Sequence, residues 1–210
     1  MEMSHGKYTA ELDRAALGAR IVGYEDILID LGTGDGRWVI QSAQHEPSRF
    51  AIGIDTCREN LRGAARQLPR NALLLIADAR ALPLELAGLA TAVTINFPWG
   101  SLLTALLTGD GGLINSLRWI ARPASTLDLR LNGGALIEAG YSLSDASLLA
   151  GLTLRAAGFD VGPSVVMDAA ALRGCASTWA RRLAVGREPW ALHVRAIVPQ
   201  HSRSLATSPS

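Results

Sequence analysis

The segment Asp30-Leu31-Gly32-Thr33-Gly34-Asp35-Gly36-Arg37 has the residue types of a ligand cradle. It follows the apolar run 27–29, which is typical of a strand, and it precedes the run 38–40, where a helix is predicted to begin. Glycines let the backbone take positive φ angles and approach a ligand closely, and the N-terminus of a helix presents unpaired N–H groups. The segment therefore predicts a site for a nucleotide-like ligand at a strand–turn–helix junction.

Two carboxylates indicate which ligand this cradle binds. Asp30 ends the first strand, and Asp55 ends the next apolar run. An acid at the tip of the second strand accepts hydrogen bonds from ribose hydroxyls, whereas a carboxylate beside the cradle disfavours a pyrophosphate and suits an ammonium group. The G-x-G-x-G spacing also departs from the G-x-G-x-x-G pattern of dinucleotide sites. S-adenosylmethionine is therefore the favoured cofactor, with a dinucleotide or a plain helix-capping turn as alternatives.

Length and composition bound the class of protein. The chain has 210 residues, of which 49% are hydrophobic, so it predicts one domain with a substantial core. It lacks a membrane-length apolar run, a signal peptide, and a cysteine pattern for disulfides or metals, which predicts a soluble cytoplasmic protein without a membrane or metal partner. Every cationic residue except Lys7 is arginine, which reflects either phosphate binding or GC-rich coding.

Strand-like and helix-like runs alternate along most of the chain. Strands are predicted at 26–31, 50–55, 72–77, 91–97, 127–131, 159–167 and 190–198, and helices at 37–44, 58–68, 102–107, 113–121, 144–157 and 168–183. This alternation predicts an α/β, Rossmann-like fold with a seven-stranded, mostly parallel sheet and helices on both faces. We interpret residues 1–200 as a single domain whose N-terminal extension, 1–25, forms a short hairpin, and 201–210 as a disordered tail.

The segment Asn96-Phe97-Pro98-Trp99-Gly100 follows the fourth predicted strand. Ligands of open α/β sheets bind at the carboxyl ends of the strands, so this segment should border the cradle. Trp99 offers a face on which a base can stack, although an indole that merely covers the core is the alternative. Ala79 and Arg80 follow the third strand, where an adenine would rest, and Arg80 would either stack on it or face solvent.

Arginines at two places predict a surface that binds the phosphates of a nucleic acid. One group recurs every four residues on one face of the predicted helix 58–68 and beyond, with only Glu59 to offset it: Arg58, Arg62, Arg66 and Arg70. The other accompanies Trp179 in the segment 177–187. Because like charges in one row repel one another, the first group favours a phosphate backbone over an ordinary solvated helix face.

Three motifs together resemble one family: the segment 30–37, the loop Phe97-Pro98-Trp99-Gly100, and the run Ser177-Thr178-Trp179-Ala180-Arg181-Arg182-Leu183. The chain resembles the aminoglycoside-resistance 16S ribosomal RNA methyltransferases over residues 26–198. Specifically, it looks like the branch that methylates N1 of adenine-1408 in the decoding site and confers kanamycin and apramycin resistance. The resemblance implies an S-adenosylmethionine-dependent class I methyltransferase whose partner is the 16S rRNA of the assembled 30S subunit, and we expect a monomer.

The resemblance also implies a role for each matching residue. Those implied to bind the cofactor or close its pocket are Asp30, Gly32, Gly34, Asp55, Ala79, Arg80, Thr94, Asn96, Phe97, Pro98, Trp99, Ser177, Thr178 and Trp179. Trp99 and Trp179 would sandwich a flipped adenine, with Ser177 positioning it. Those implied to contact RNA are Arg62, Arg66, Arg70, Arg181, Arg182 and Arg187. Because N1 of adenine has an in-plane lone pair, transfer by proximity and orientation needs no catalytic histidine, cysteine or metal.

Other functions stay open on the sequence. The Asn96-Phe97-Pro98-Trp99 segment is close to the (Asp/Asn)-Pro-Pro-aromatic loop of enzymes that methylate exocyclic amines, so N6 of an adenine is an alternative target. N7 of a guanine is the target of the other branch of the resistance family. A small-molecule methyltransferase is a further alternative, in which the arginines are incidental. The alternative from another class is a catalytically silent protein that binds the cofactor or the ribosome.

Overall fold

The computed structural model describes residues 1–5, 8–175 and 178–200. The described residues form one sheet with the strands β1 Glu2–His5, β2 Tyr8–Glu11, β3 Asp26–Leu31, β4 Arg49–Asp55, β5 Ala72–Ile76, β6 Ala90–Asn96, β7 Ala121–Asn132, β8 Asp160–Val161, β9 Val165–Met167 and β10 Ala191–Ile197. The helices are α1 Arg14–Ile21, α2 Arg37–His45, α3 Arg58–Ala64, α4 Gly100–Thr108, α5 Gly111–Ile120, α6 Gly133–Glu138, α7 Leu143–Ala156, α8 Ala169–Gly174 and α9 Thr178–Leu183. None of these described helices combines the length and the apolar character needed to cross a lipid bilayer.

The order of the strands creates a switch point beside β3. The sheet runs β2-β1-β5-β4-β3-β6-β7-β10-β8, with β9 paired to β10, and its five central strands, β5 to β7, are parallel. The chain moves outward from β3 through β4 to β5 and then returns to β6 on the other side of β3. The carboxyl ends of β3 and β6 therefore separate at this point, where open α/β sheets bind ligands.

Helices cover both faces of the central strands because those strands are apolar on both sides. On one face Leu28 and Leu74 pack against Val39 of α2 and Leu61 of α3. The opposite face carries a larger cluster that extends to α1, α4, α5, α6 and α7. Alternate residues of one strand serve the two faces, and this places Asp30 on the same face as Leu28.

The predicted α/β fold with a mostly parallel sheet and helices on both faces is confirmed, but the predicted count of seven strands is wrong, since the described residues form ten. The N-terminal segment adds the antiparallel pair β1–β2, which joins the edge of β5. The run 159–167 divides into β8 and β9 because Gly162-Pro163 interrupts it, and proline has no N–H for the ladder. The predicted tail at 201–210 lies outside the described residues.

Two predicted helices are also shorter than expected. The helix predicted at 58–68 ends as α3 at Ala64, with Ala65 as its C-cap. The helix predicted at 168–183 is divided into α8 and α9, because Cys175 takes an extended conformation after α8. Asp168 does cap α8, where its side chain accepts a hydrogen bond from the Ala171 N–H, as the sequence predicts.

Candidate functional site

The floor of the site is the buried carboxylate of Asp30, only 1% exposed at the end of β3. Because Asp30 pairs in register with Thr94 of β6, two neighbouring side chains reach its Oδ1 atom. Thr94 Oγ1 donates to it at 2.6 Å and Asn96 Nδ2 at 3.0 Å. Burial raises the pKa of Asp30 to about 6, against the lowering effects of these hydrogen bonds and of the Arg130 charge. An ionised carboxylate in this place is stabilised by a cationic ligand.

The glycine cradle forms one wall above Asp30. Gly32, Gly34 and Gly36 all have left-handed φ angles, between 57° and 70°. A Cβ at Gly32 would lie 2.6 Å from Leu102 Cδ2, so a larger residue there would displace the Leu102 side chain and strain the left-handed backbone. The backbone N–H of Gly34 donates to Asp55 Oδ2 at 2.8 Å, and Asp55 Oδ1 accepts from the Cys57 N–H at 2.8 Å. The cradle and the start of α3 therefore fix the orientation of the Asp55 carboxylate.

These residues open into a cleft of about 270 Å³ at the carboxyl edge of the sheet. Asp55, Asp78 and Ala79 line the side formed by β4 and β5, where a ribose and its base would lie. Thr33 also lines the cleft, and a hydrogen bond from its side chain is among the causes that lower the pKa of Asp30.

Phe97 connects the two sides of the cleft mouth. Its φ angle of 54° is in the left-handed region, which a bulky side chain rarely adopts, and its N–H donates to Arg130 O at 2.7 Å. This turn directs the Phe97 ring, 5% exposed, into a cluster with Leu172 of α8, Ala180 of α9 and Ala184, which directly follows α9. The loop before α4 is therefore packed directly against the helix that carries Trp179.

Two tryptophans stand at the cleft mouth. Trp99 precedes α4 and is 47% exposed, while Trp179 lies on α9 and is 46% exposed, and both line the cleft. The Arg182 guanidinium lies 5.8 Å from the centroid of the Trp179 ring, within cation–π distance. Two large apolar rings left half exposed at one opening can stack on a planar aromatic group.

Most of the residues selected from the sequence line this cleft: Asp30, Gly32, Gly34, Asp55, Ala79, Asn96, Phe97, Pro98, Trp99 and Trp179. Thr94 does not line the cleft, but its hydroxyl donates a hydrogen bond to Asp30, which does. Arg80 instead forms an ion pair with Asp78 at 2.6 Å, which holds the pKa of that carboxyl below its usual range. Ser177 lies outside the described residues, as does the Thr178 side chain.

Some residues of the site escaped the sequence analysis. Thr33, Asp35 and Arg37 line the cleft and lie inside the recognised glycine segment, so that segment was the signal for them. Trp38 and Asn60 also line it, from the first turns of α2 and α3. Arg130 contacts the site from β7, and only the alternation of leucines with polar residues along that strand could have indicated it.

The arginine row differs from its prediction. Because α3 ends at Ala64, Arg66 and Arg70 follow the helix instead of continuing its face. Arg58 pairs with Glu2 of β1, so the expectation that only Glu59 offsets the row is wrong. Arg62 lies 3.9 Å from Glu59, whereas no carboxylate of a described residue forms an ion pair with Arg66 or Arg70.

The second arginine group consists of residues that all lie exposed on α9 or shortly after it: Arg181, Arg182 and Arg187. Trp179 of α9 lines the cleft, so Arg182, 5.8 Å from the centroid of its ring, lies beside the cleft mouth, whereas Arg70 shortly precedes β5 and lies toward the amino edge of the sheet. The exposed cations on and after α9 therefore lie where a large anionic partner would reach Trp179.

Comparison with known proteins gives consistent results. The family model "NpmA: 16S rRNA (adenine(1408)-N(1))-methyltransferase" matches residues 2–198. An Escherichia coli protein named 16S rRNA (adenine(1408)-N(1))-methyltransferase is 28% identical, over 93% of this chain and 98% of its own. The crystal structure of the antibiotic-resistance methyltransferase Kmr is 31% identical, covers 95% of this chain and 99% of its own, and has a TM-score of 0.77. The aminoglycoside resistance methyltransferase NpmB1 is 30% identical, covers 94% and 98%, and has a TM-score of 0.75.

The left-handed backbone at Phe97 predicts which of two variants, Phe97→Ala or Phe97→Gly, is the more stable. Phe97→Ala should lower the free energy of unfolding by about 3–5 kcal/mol, because it empties a buried ring site. Phe97→Gly removes the same ring but also relieves about 1–2 kcal/mol of left-handed strain, so it should be at least as stable as the alanine variant. Urea unfolding measures both. At an unstrained position glycine is ordinarily less stable than alanine by about 0.5–1 kcal/mol. If Phe97→Gly were less stable than Phe97→Ala by that amount, the turn at Phe97 would not be strained.

Proposed function

The chain belongs to the 16S rRNA (adenine(1408)-N(1))-methyltransferase family, and from that premise we propose that it methylates N1 of adenine-1408 in the decoding site of the 30S subunit. The observation that carries the proposal is the pair of half-exposed indoles, Trp99 and Trp179, above a buried carboxylate. We further propose that the modification confers resistance to kanamycin and apramycin. The protein would act as a monomer in the cytoplasm, where its ribosomal substrate is found.

The residues of the cleft fit S-adenosylmethionine as the cofactor. When bound, this sulfonium compound supplies an electrophilic methyl group. Asp30 would face its cationic methionine end, and Asp55, already oriented by Gly34 and Cys57, would accept hydrogen bonds from the ribose hydroxyls. Ala79 would border the adenine.

The two tryptophans would hold the target base in a flipped position. Taking a base out of its stack costs a few kcal/mol. Stacking on Trp99 and Trp179 would contribute ~1–3 kcal/mol for each contact and offset that cost. The neutral N1 atom already presents its lone pair in the plane of the ring, so the residues need only place it in line with the methyl group. For this reason the proposal assigns no role to a general base or to a metal.

The exposed arginines would bind the rRNA backbone. Arg66 and Arg70 are exposed and lack a carboxylate partner among the described residues, so their charges are available to phosphates. Arg62 would join them from α3, and Arg181, Arg182 and Arg187 would contact the strand that carries the flipped base. Such contacts position the enzyme on its substrate without reading the sequence.

The product of the reaction tests the proposed function. Purified protein, incubated with purified 30S subunits and labelled S-adenosylmethionine, should introduce one methyl group and a reverse-transcription stop at position 1408, because N1-methyladenine cannot pair. Mass spectrometry of the nucleosides should find 1-methyladenosine. N6-methyladenosine or 7-methylguanosine would instead support the alternative targets. Tight cofactor binding without turnover on any ribosomal substrate would contradict an enzymatic function.

Substitution of the two tryptophans tests the base sandwich. Trp99→Ala and Trp179→Ala should each lower the methylation rate of 30S subunits by roughly tenfold or more, because each removes a stacking contact. The affinity for S-adenosylhomocysteine should stay within about threefold of wild type, since the cradle and both carboxylates remain. Trp119→Ala is the matched control, because Trp119 on α5 is 45% exposed and does not line the cleft. Full activity of either cleft variant would exclude the sandwich.

A further inference from the structure

A row of polar side chains crosses one face of the sheet from β10 to the floor of the cleft. The strand register places Arg130 of β7 beside both Asn96 of β6 and His193 of β10. Asp128, two residues earlier on β7, shares this face with them. Asp30 of β3 completes the row through Asn96. A continuous polar path therefore joins the outer part of the sheet to the buried carboxylate.

Arg130 determines how the Asn96 amide is oriented. Arg130 Nη1 donates to Asn96 Oδ1 at 2.8 Å, and Asn96 Nδ2 donates to Asp30 Oδ1 at 3.0 Å. If the amide were turned over, its oxygen would face the Asp30 carboxylate and its NH₂ group would face the guanidinium, so both contacts would be repulsive. The guanidinium therefore fixes which end of Asn96 is presented to Asp30.

The outer residues hold Arg130 in this position. Arg130 Nη2 lies 3.6 Å from Asp128 Oδ1, and the same oxygen lies 2.6 Å from His193 Nε2 and 3.4 Å from Arg195 Nε. The hydrogen bond with His193 keeps the pKa of Asp128 below its usual range, so Asp128 is ionised. Asp128 therefore anchors the Arg130 guanidinium, and it is the charge of Arg130 that acts on Asp30 and lowers its pKa.

The buried position of Arg130 lowers the stability of the fold. Its side chain is only 17% exposed, and its Nε atom is buried without a hydrogen-bond partner among the described residues. A buried guanidinium with an unpaired N–H lowers stability. A loss of folding stability of this kind is typical of residues that have a role in a functional site.

We propose that Arg130 is a positioning residue for the cofactor: it locks the Asn96 amide toward Asp30 and keeps the Asp30 carboxylate charged to receive the ammonium group of the methionine moiety. This inference rests on the proposed function, because it takes S-adenosylmethionine as the ligand. Arg130 itself does not line the cleft, so it acts through Asn96 and through its charge.

The electrostatics of Asp30 predict the direction in which its pKa should change when Arg130 is lost. Burial raises the pKa of Asp30 to about 6, and the Arg130 charge opposes that rise. Loss of Arg130 should raise the pKa further, so that less of the carboxylate is ionised at a given pH below about 8. Other charged residues line the same cleft, namely Asp35, Arg37, Asp55 and Asp78. These residues, like His193, Asp128 and Arg195, are the same in wild type and in Arg130→Met.

The test compares Arg130→Met with wild type by calorimetric titration of S-adenosylhomocysteine between pH 5.5 and 8.5. The variant should bind roughly fivefold or more weakly at pH 6, and the ratio of the two dissociation constants should shrink as the pH rises. Titration of the ligand's own amine is common to both proteins and cancels in this ratio. A ratio that does not change with pH would overturn the proposal.

A second ligand and two further variants separate this role from a structural one. 5′-Methylthioadenosine lacks the amino-acid group, so its affinity should be the same for Arg130→Met and wild type, and an equal loss for both ligands would overturn the proposal. Arg130→Lys keeps the charge and should return the pH dependence toward wild type. If it instead follows the Arg130→Met profile, the charge has no part in binding, and this too would overturn the proposal.

Arg195→Met is the matched control. Arg195 lies on the same face, but its side chain is 77% exposed and it reaches Asp128 rather than Asn96. Its removal should leave the affinity for S-adenosylhomocysteine unchanged at every pH, and a loss equal to that of Arg130→Met would overturn the specific role of Arg130. Failure of wild type to bind S-adenosylhomocysteine at all would overturn the proposed cofactor instead, so the two failures are distinguishable.

Discussion

Burial of the Asp30 carboxylate is the constraint on which the rest of the site depends. Its raised pKa means that folding favours the neutral form, so the stability that this group contributes falls as the pH rises through about 6. At neutral pH its ionisation costs the free protein on the order of 3 kcal/mol relative to an exposed aspartate. Thr94, Asn96 and Arg130 reduce this cost without removing it, which leaves the carboxylate to be stabilised by a cationic ligand.

The cofactor half and the base half of the cleft come from different parts of the sheet. The ends of β3, β4 and β5 supply the carboxylates and the glycine cradle, whereas the segments around α4 and α9 supply the two indoles. Phe97 joins the halves, because its backbone follows Asn96 above Asp30 while its ring packs under α9. Stacking of a base and binding of the cofactor are therefore built on one connected set of contacts.

The sequence predicted the parts of the site that are local in the chain. The glycine cradle, Asp30 and Asp55 lie at the ends of consecutive strands, so pattern and spacing were sufficient to find them. The role of Arg130 depends on β7 lying beside β6, and the Glu2–Arg58 pair joins residues 56 positions apart, which no local pattern reveals. Local breaks were missed as well, since α3 ends at Ala64 and Cys175 takes an extended conformation, although the apolar spacing continues past both positions.

The titration of Asp30, followed through its side-chain carboxyl ¹³C resonance, tests the central claim most directly. The resonance would be assigned by its loss in Asp30→Asn. The free protein should give a midpoint near 6, and saturation with S-adenosylhomocysteine should lower that midpoint, because a bound ammonium group stabilises the charged carboxylate. A midpoint near the ordinary value of 3.8 in the free protein, or one that the ligand leaves unchanged, would contradict the account.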